Sequence, residues 1–125
     1  MLHLYDCPTM AAALTMELEP RLKALLTARI EALSPELVDW TEYLVVEAGD
    51  IEADIVRVVG FSPMVEPIDG GQFGDPGFQP GWDLLMEHDG WFEMIYTFGS
   101  TFACILLVEK GGTIADLVQS YSAVR

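Results

Sequence analysis

The run Asp83…Glu87-His88-Asp89…Glu93 gathers oxygen and nitrogen ligands within eleven positions, the densest such gathering in the chain. On a helix Asp83 and Glu87 share a face at i,i+4, and a hard cation or zinc could use that pair. The spacing departs from the known metal patterns, however. There is no His-Glu-x-x-His and no Cys-x-x-Cys, and Asp69-Gly70-Gly71-Gln72-Phe73 lacks the alternating Asp/Asn of a calcium loop. His88 reads more simply as a residue at a helix C-terminus, where the dipole favours it. No metal and no cofactor is assigned.

Nucleophiles fare no better. Gly60-Phe61-Ser62-Pro63-Met64 fails the Gly-x-Ser-x-Gly elbow at its last position, and Pro63 removes the N–H that would help form an oxyanion hole. Cys7 with His3 four residues earlier could make a thiolate pair, but neither has a visible orienting partner. Cys7-Pro8 reads as a strand end and Cys104 as a small core residue. Two carboxylates could serve glycoside-type acid/base chemistry, yet among twenty acids some pair is always near another. The glycines open no dinucleotide or phosphate-binding motif. No catalytic residue is assigned.

Charge is the stronger signal. Between Arg29 and Lys110 sixteen carboxylates face one basic residue, Arg57, and the net charge of the chain is −14. Such a field repels nucleic acid and anionic membranes and attracts basic partners. The chain is 51% hydrophobic with a mean hydropathy of +0.31. At 125 residues that implies one acidic domain with an unusually apolar interior. The longest apolar run, Phe102 to Val108, is far short of the ~20 residues of a spanning helix. The first basic residue is Arg21, and Asp6 and Glu17 bracket the early apolar stretch, which argues against a secretory signal. A cytoplasmic location is expected.

The elements that must position these residues follow from periodicity. Leu2 to Tyr5 suits an edge strand. From about Thr9 to Leu33 the residues Leu14, Leu18, Leu22, Leu25, Leu26, Ile30 and Leu33 form one helical stripe, with a kink or two abutting helices at Pro20. Glu17 and Arg21 are spaced for an i,i+4 ion pair. Tyr43 to Ala48 reads as a strand closed by Gly49. Asp50 then caps a helix carrying Ile51, Ile55, Val58 and Val59, which stops at Gly60. Ser62 to Gly81 holds four prolines and five glycines interleaved with Met64, Val65, Ile68, Phe73 and Phe78, the pattern of a long packed loop.

Trp82 to His88 is expected as a short helix. Trp91–Phe98 and Thr101–Glu109 form two strands joined at Gly99-Ser100. A two-residue turn pairs positions summing to 199 and leaves both faces apolar, whereas a three-residue loop shifts the sum to 200. In the second register Ile95, Ala103, Ile105 and Leu107 still need a cover, and a second copy of the chain would supply it. Thr113 and Asp116 cap a last helix through Leu117, Val118 and Tyr121. The fold class is α+β, with a small mixed or antiparallel sheet of three to four strands packed by helices.

Function follows from the acids. Glu36, Asp39, Glu42, Glu47, Asp50, Glu52 and Asp54 crowd the first strand–helix unit, and Asp69 and Asp75 accompany Phe73, Phe78 and Trp82 in the loop. Aromatic anchors ringed by acids suit a surface for a basic protein. The expected binding residues are Glu47, Asp50, Asp54, Asp69, Phe73, Asp75, Phe78, Trp82, Asp83 and His88. The alternative is a small-molecule or divalent-metal-dependent enzyme with its site under the 62–81 loop, drawing on Asp69, Asp75, Asp83 and His88.

Overall fold

Asp6 starts the first helix. Its carboxylate accepts the Thr9 N–H at 2.9 Å while the Thr9 hydroxyl accepts the Asp6 N–H at 3.1 Å, a reciprocal cap that satisfies two otherwise orphaned donors. In this computed structural model, which describes residues 1–34, 36–37, 40–60, 84–98 and 102–124, that cap sets helix α1 (Cys7–Thr15) behind strand β1 (Leu2–Leu4). Cys7-Pro8 therefore opens a helix instead of ending a strand. Helix α2 (Pro20–Ala32) places Pro20 in its first turn, where the missing N–H has no partner to lose, so the stripe divides into two helices.

Glu19 caps α2. Its carboxylate accepts the Arg21 and Leu22 N–H groups at 3.2 and 3.1 Å, the Arg21 Nε at 2.8 Å and the Trp91 indole N–H at 3.1 Å. The Arg21 bond, more than any other contact, holds the Glu19 carboxyl down at about 2. Arg21 thus pairs with Glu19 and Asp89, correcting the expected Glu17–Arg21 pair. Glu17 lies in the connection between α1 and α2, so the i,i+4 helical spacing does not apply to it.

Strand β2 (Thr41–Val46) is followed by α3 (Glu52–Val59), which closes at Gly60 with φ +84°, a conformation glycine adopts without steric cost. Asp50 is not the cap of α3. It accepts the Glu47 N–H at 2.8 Å, while Asp54 reaches back to the Ile51 N–H at 2.9 Å.

Leu84–His88 is a strand, β3, and not the end of a helix. It pairs antiparallel with β4 (Trp91–Phe98) across a two-residue Asp89-Gly90 turn in which Gly90 has φ +83°. The apolar run is too short for periodicity to separate helix from strand, and the tertiary pairing decides. Strand β5 (Phe102–Glu109) then runs antiparallel to β4 with partners summing to 200, such as Phe92 with Val108. The pairing of Phe98 with Phe102 selects the three-residue connection. Helix α4 (Thr113–Val124) completes the chain, with Thr113 as its first residue.

The architecture is α+β with a mixed sheet of five strands, in the order β1-β2-β5-β4-β3; the count exceeds the expected three to four because β3 joins it. The β2–β5 pair is parallel and the others are antiparallel. On one face Met10 and Ala13 of α1 and Leu22 and Leu26 of α2 pack on Tyr43, Val45, Trp91, Ile105 and Leu107. On the other, Ile55 of α3 and Ile114, Ala115 and Val118 of α4 pack on Leu44, Val46, Met94, Leu106 and Val108. Ile105 and Leu107, the hairpin residues expected to need a second copy, are covered within the chain by α1 and α2. The middle strands are buried on both faces, which accounts for the high hydropathy. Each fully buried leucine, Leu26 among them, contributes about 2 kcal/mol of transfer free energy. The loop expected at 62–81 lies outside the described residues.

Candidate functional site

Because β2 and β5 are parallel, their C-terminal ends lie side by side at Val46 and Val108. The next residues, Glu47 and Glu109, bring two carboxylates to one rim of the sheet. Glu109 accepts the Ala48 N–H at 2.9 Å. The amino group of Met1 lies 3.4 Å from Asp50 and 3.6 Å from Glu47. Helix α3 starts from this rim with Glu52 and Asp54 in its first turn, and α4 with Asp116. The positive ends of both helix dipoles hold these acids without a cationic side chain for each. Asp54 pairs with Arg57 at 3.1 Å. The rim thus carries Glu47, Asp50, Glu52, Asp54, Glu109 and Asp116 against one terminal amine, Arg57 and Lys110, the last of which pairs with Glu87 at 2.7 Å.

The structure brings Glu47, Asp50 and Asp54 of the expected binding residues into this one corner. His88 lies on the edge strand β3, two strands from Glu109 in the same cross-strand row, and is held there by Glu93. Asp69, Phe73, Asp75, Phe78, Trp82 and Asp83 lie outside the described residues. Among the described residues no group of three or more His, Cys, Asp or Glu side chains is placed to hold a metal ion.

His88 is bound to Glu93, whose side chain is 1% exposed. Arg29 Nη2 donates to Glu93 Oε1 and Arg29 Nε to Oε2, both at 2.8 Å, a bidentate pair. His88 Nε2 lies 2.8 Å from Oε1. Burial pushes the Glu93 carboxyl up, but the Arg29 and His88 bonds outweigh it and hold the group below the usual range. Burial likewise raises the Tyr43 hydroxyl, and the Glu93 charge adds to the effect. With both oxygens occupied by cationic or ring donors, Glu93 is suited to fastening α2 to the sheet and unsuited to accepting a substrate proton. Sequence reading placed Glu93 in an acidic run and overlooked Arg29. The available signal was its position three residues after Leu26, on the buried stripe of α2.

The cysteines occupy two different settings. Cys104 is fully buried, and burial first, then the Glu42 carboxylate it bonds, push its thiol well up, so that it stays protonated and unreactive. Cys7 is exposed, and His3, the base that its spacing offers, is hydrogen-bonded to Glu42 at 2.6 Å. A shallow groove of about 580 Å³ runs along α2 past Leu18, Pro20, Ala24 and Ala28, with Lys23 and Glu31 at its margins. It includes none of the rim acids and neither Arg29 nor Glu93. No helix is long and apolar enough to cross a membrane among the described residues. No protein-family model, curated protein or solved structure matches the chain.

Proposed function

We propose that this chain is a small non-enzymatic binding protein whose acidic rim engages a basic partner, in the way that inhibitors, immunity proteins and DNA mimics present carboxylates to a cationic groove. The supporting observation is the convergence of Glu47, Asp50, Glu52, Asp54, Glu109 and Asp116 at the shared end of β2 and β5, where two helix N-termini also point. Carboxylates so placed steer a basic partner and speed encounter. The two free cysteines and the acidic surface suit a reducing, cytoplasmic setting. Of the residues on which the enzyme alternative draws, only His88 is among the described ones, and its ring nitrogen is held by Glu93.

The test is capture from host lysate on the immobilised protein, with elution by rising salt, beside a triple variant Glu47→Lys, Glu52→Lys, Asp116→Lys. The expected result is a basic protein released by salt from the wild type and not retained by the variant. Retention by both, or binding indifferent to salt, would refute the rim as the interface.

A further inference from the structure

We infer that β3 is an interaction edge for a second copy of this chain, the two β3 strands pairing antiparallel about Met86 to make one continuous sheet. The inference stands apart from the proposed partner binding, since β3 lies across the sheet from β2 and its neighbour β1.

Backbone parity carries the argument. The Lys110 N–H donates to the Gly90 carbonyl at 3.0 Å, so position 90 directs its backbone toward β5. By alternation Phe92 and Met94 do the same, and Trp91, Glu93 and Ile95 direct theirs toward β3. Their partners His88, Met86 and Leu84 therefore bond β4. Leu85 and Glu87 are left with N–H and C=O groups directed away from the sheet. No bond from either backbone group is made among the described residues beyond the ladder itself. No residue of β3 is buried, and Leu84 is 48% exposed.

One register satisfies all of these groups at once. With positions of the two copies summing to 172, Leu85 of one faces Glu87 of the other, twice, and each pair exchanges both of its bonds. Met86 then faces its own copy and Leu84 faces His88, all on the face that carries α2. Glu87 meets leucine instead of another acid, and its carboxylate is already paired with Lys110 at 2.7 Å. The strand has no proline or lysine, the residues that commonly guard an edge. At the other edge β1 is only three residues long.

The register makes an unequal prediction for neighbouring cysteines. In a Cys7→Ser background Met86→Cys places two thiols directly opposite, at Cα separations of about 4.5–5.5 Å that a disulfide can span. Leu84→Cys places its two thiols about 14 Å apart along the strands, beyond reach. Under mild oxidation Met86→Cys is expected to give a covalent dimer and Leu84→Cys to stay monomeric. The wild type is expected to sediment as a dimer at micromolar concentration, and more so at high salt, which screens two chains of −14 each. Glu87→Pro deletes one outward N–H per copy, leaves the β4 ladder intact and is expected to sediment as a monomer. A monomeric wild type at high salt, a dimeric Glu87→Pro or equal cross-linking at 84 and 86 would overturn the pairing. Salt acts here in the opposite sense to basic-partner binding, so either can fail without the other.

Discussion

Gly112→Ala is expected to destabilise the protein by about 3 kcal/mol and to lower its melting temperature by about 10–15 °C. A Cβ at this position would overlap the Ala48 carbonyl oxygen and lie 2.6 Å from its Cα and 2.8 Å from its carbonyl carbon. These are backbone atoms held by the Glu109–Ala48 bond and by the end of β2, so no rotamer change can relieve the overlap. Either α4 moves off the sheet or the rim opens. Gly111, one residue earlier, is the matching control. It has φ +96° but open space around it, and Gly111→Ala should lose about 1–2 kcal/mol from backbone conformation alone. Urea or thermal melts followed by circular dichroism measure both. Equal losses at 111 and 112 would show that the close approach to Ala48 carries no weight.

Replacing Arg29 by Met should cost about 3–5 kcal/mol, because it leaves the carboxylate of Glu93 buried with His88 as its remaining partner. The double variant Arg29→Met, Glu93→Leu should recover most of that loss, since an apolar pair satisfies the same space without a stranded charge. The pH dependence separates this from simple packing damage. In the wild type Glu93 titrates below its unfolded value, so its stabilisation is fully present above the unfolded pKa of about 4.3 and disappears as pH falls through the lower folded value. In Arg29→Met burial is opposed by His88 alone and is expected to raise the folded pKa above the unfolded one. Protonation then favours the folded state, and the variant should gain on the wild type as pH falls from about 6 to about 4. A gap in stability that stays constant across that range would contradict the ion-pair account.

Much of the fold was legible wherever a local rule sufficed. Leu22 and Leu26 showed the buried face of α2 by spacing, Pro20 marked a kink or a junction of two helices, Gly60 marked the end of α3, and the β-branched run in β2 named a strand. Local rules failed where a distant partner decides. Leu84–His88 became a strand because β4 was available to pair with it. Arg29 and Glu93 are 64 positions apart, and Glu19 and Trp91 are 72 apart, so no window along the chain connects them. Of the site, the acids at 47, 50 and 54 were readable as a group because they are neighbours in sequence. Glu109 and Asp116 join them only through the parallel crossover, which charge counting does not reveal.

That crossover also bears on how the chain reaches its native state. Strands β3, β4 and β5 follow one another and can pair by successive hairpins, and β1 with α1, α2 and β2 forms a second neighbourhood. Among the described residues the two are stitched in the sheet by the β2–β5 ladder alone, whose partners, such as Thr41 and Ala103, are 62 positions apart. Closing so long a loop is entropically unfavourable until both sides exist, so the ladder should form late and limit the folding rate. Until it does, β5 presents an open apolar edge, and crowding by neighbouring nascent chains is most dangerous in that interval.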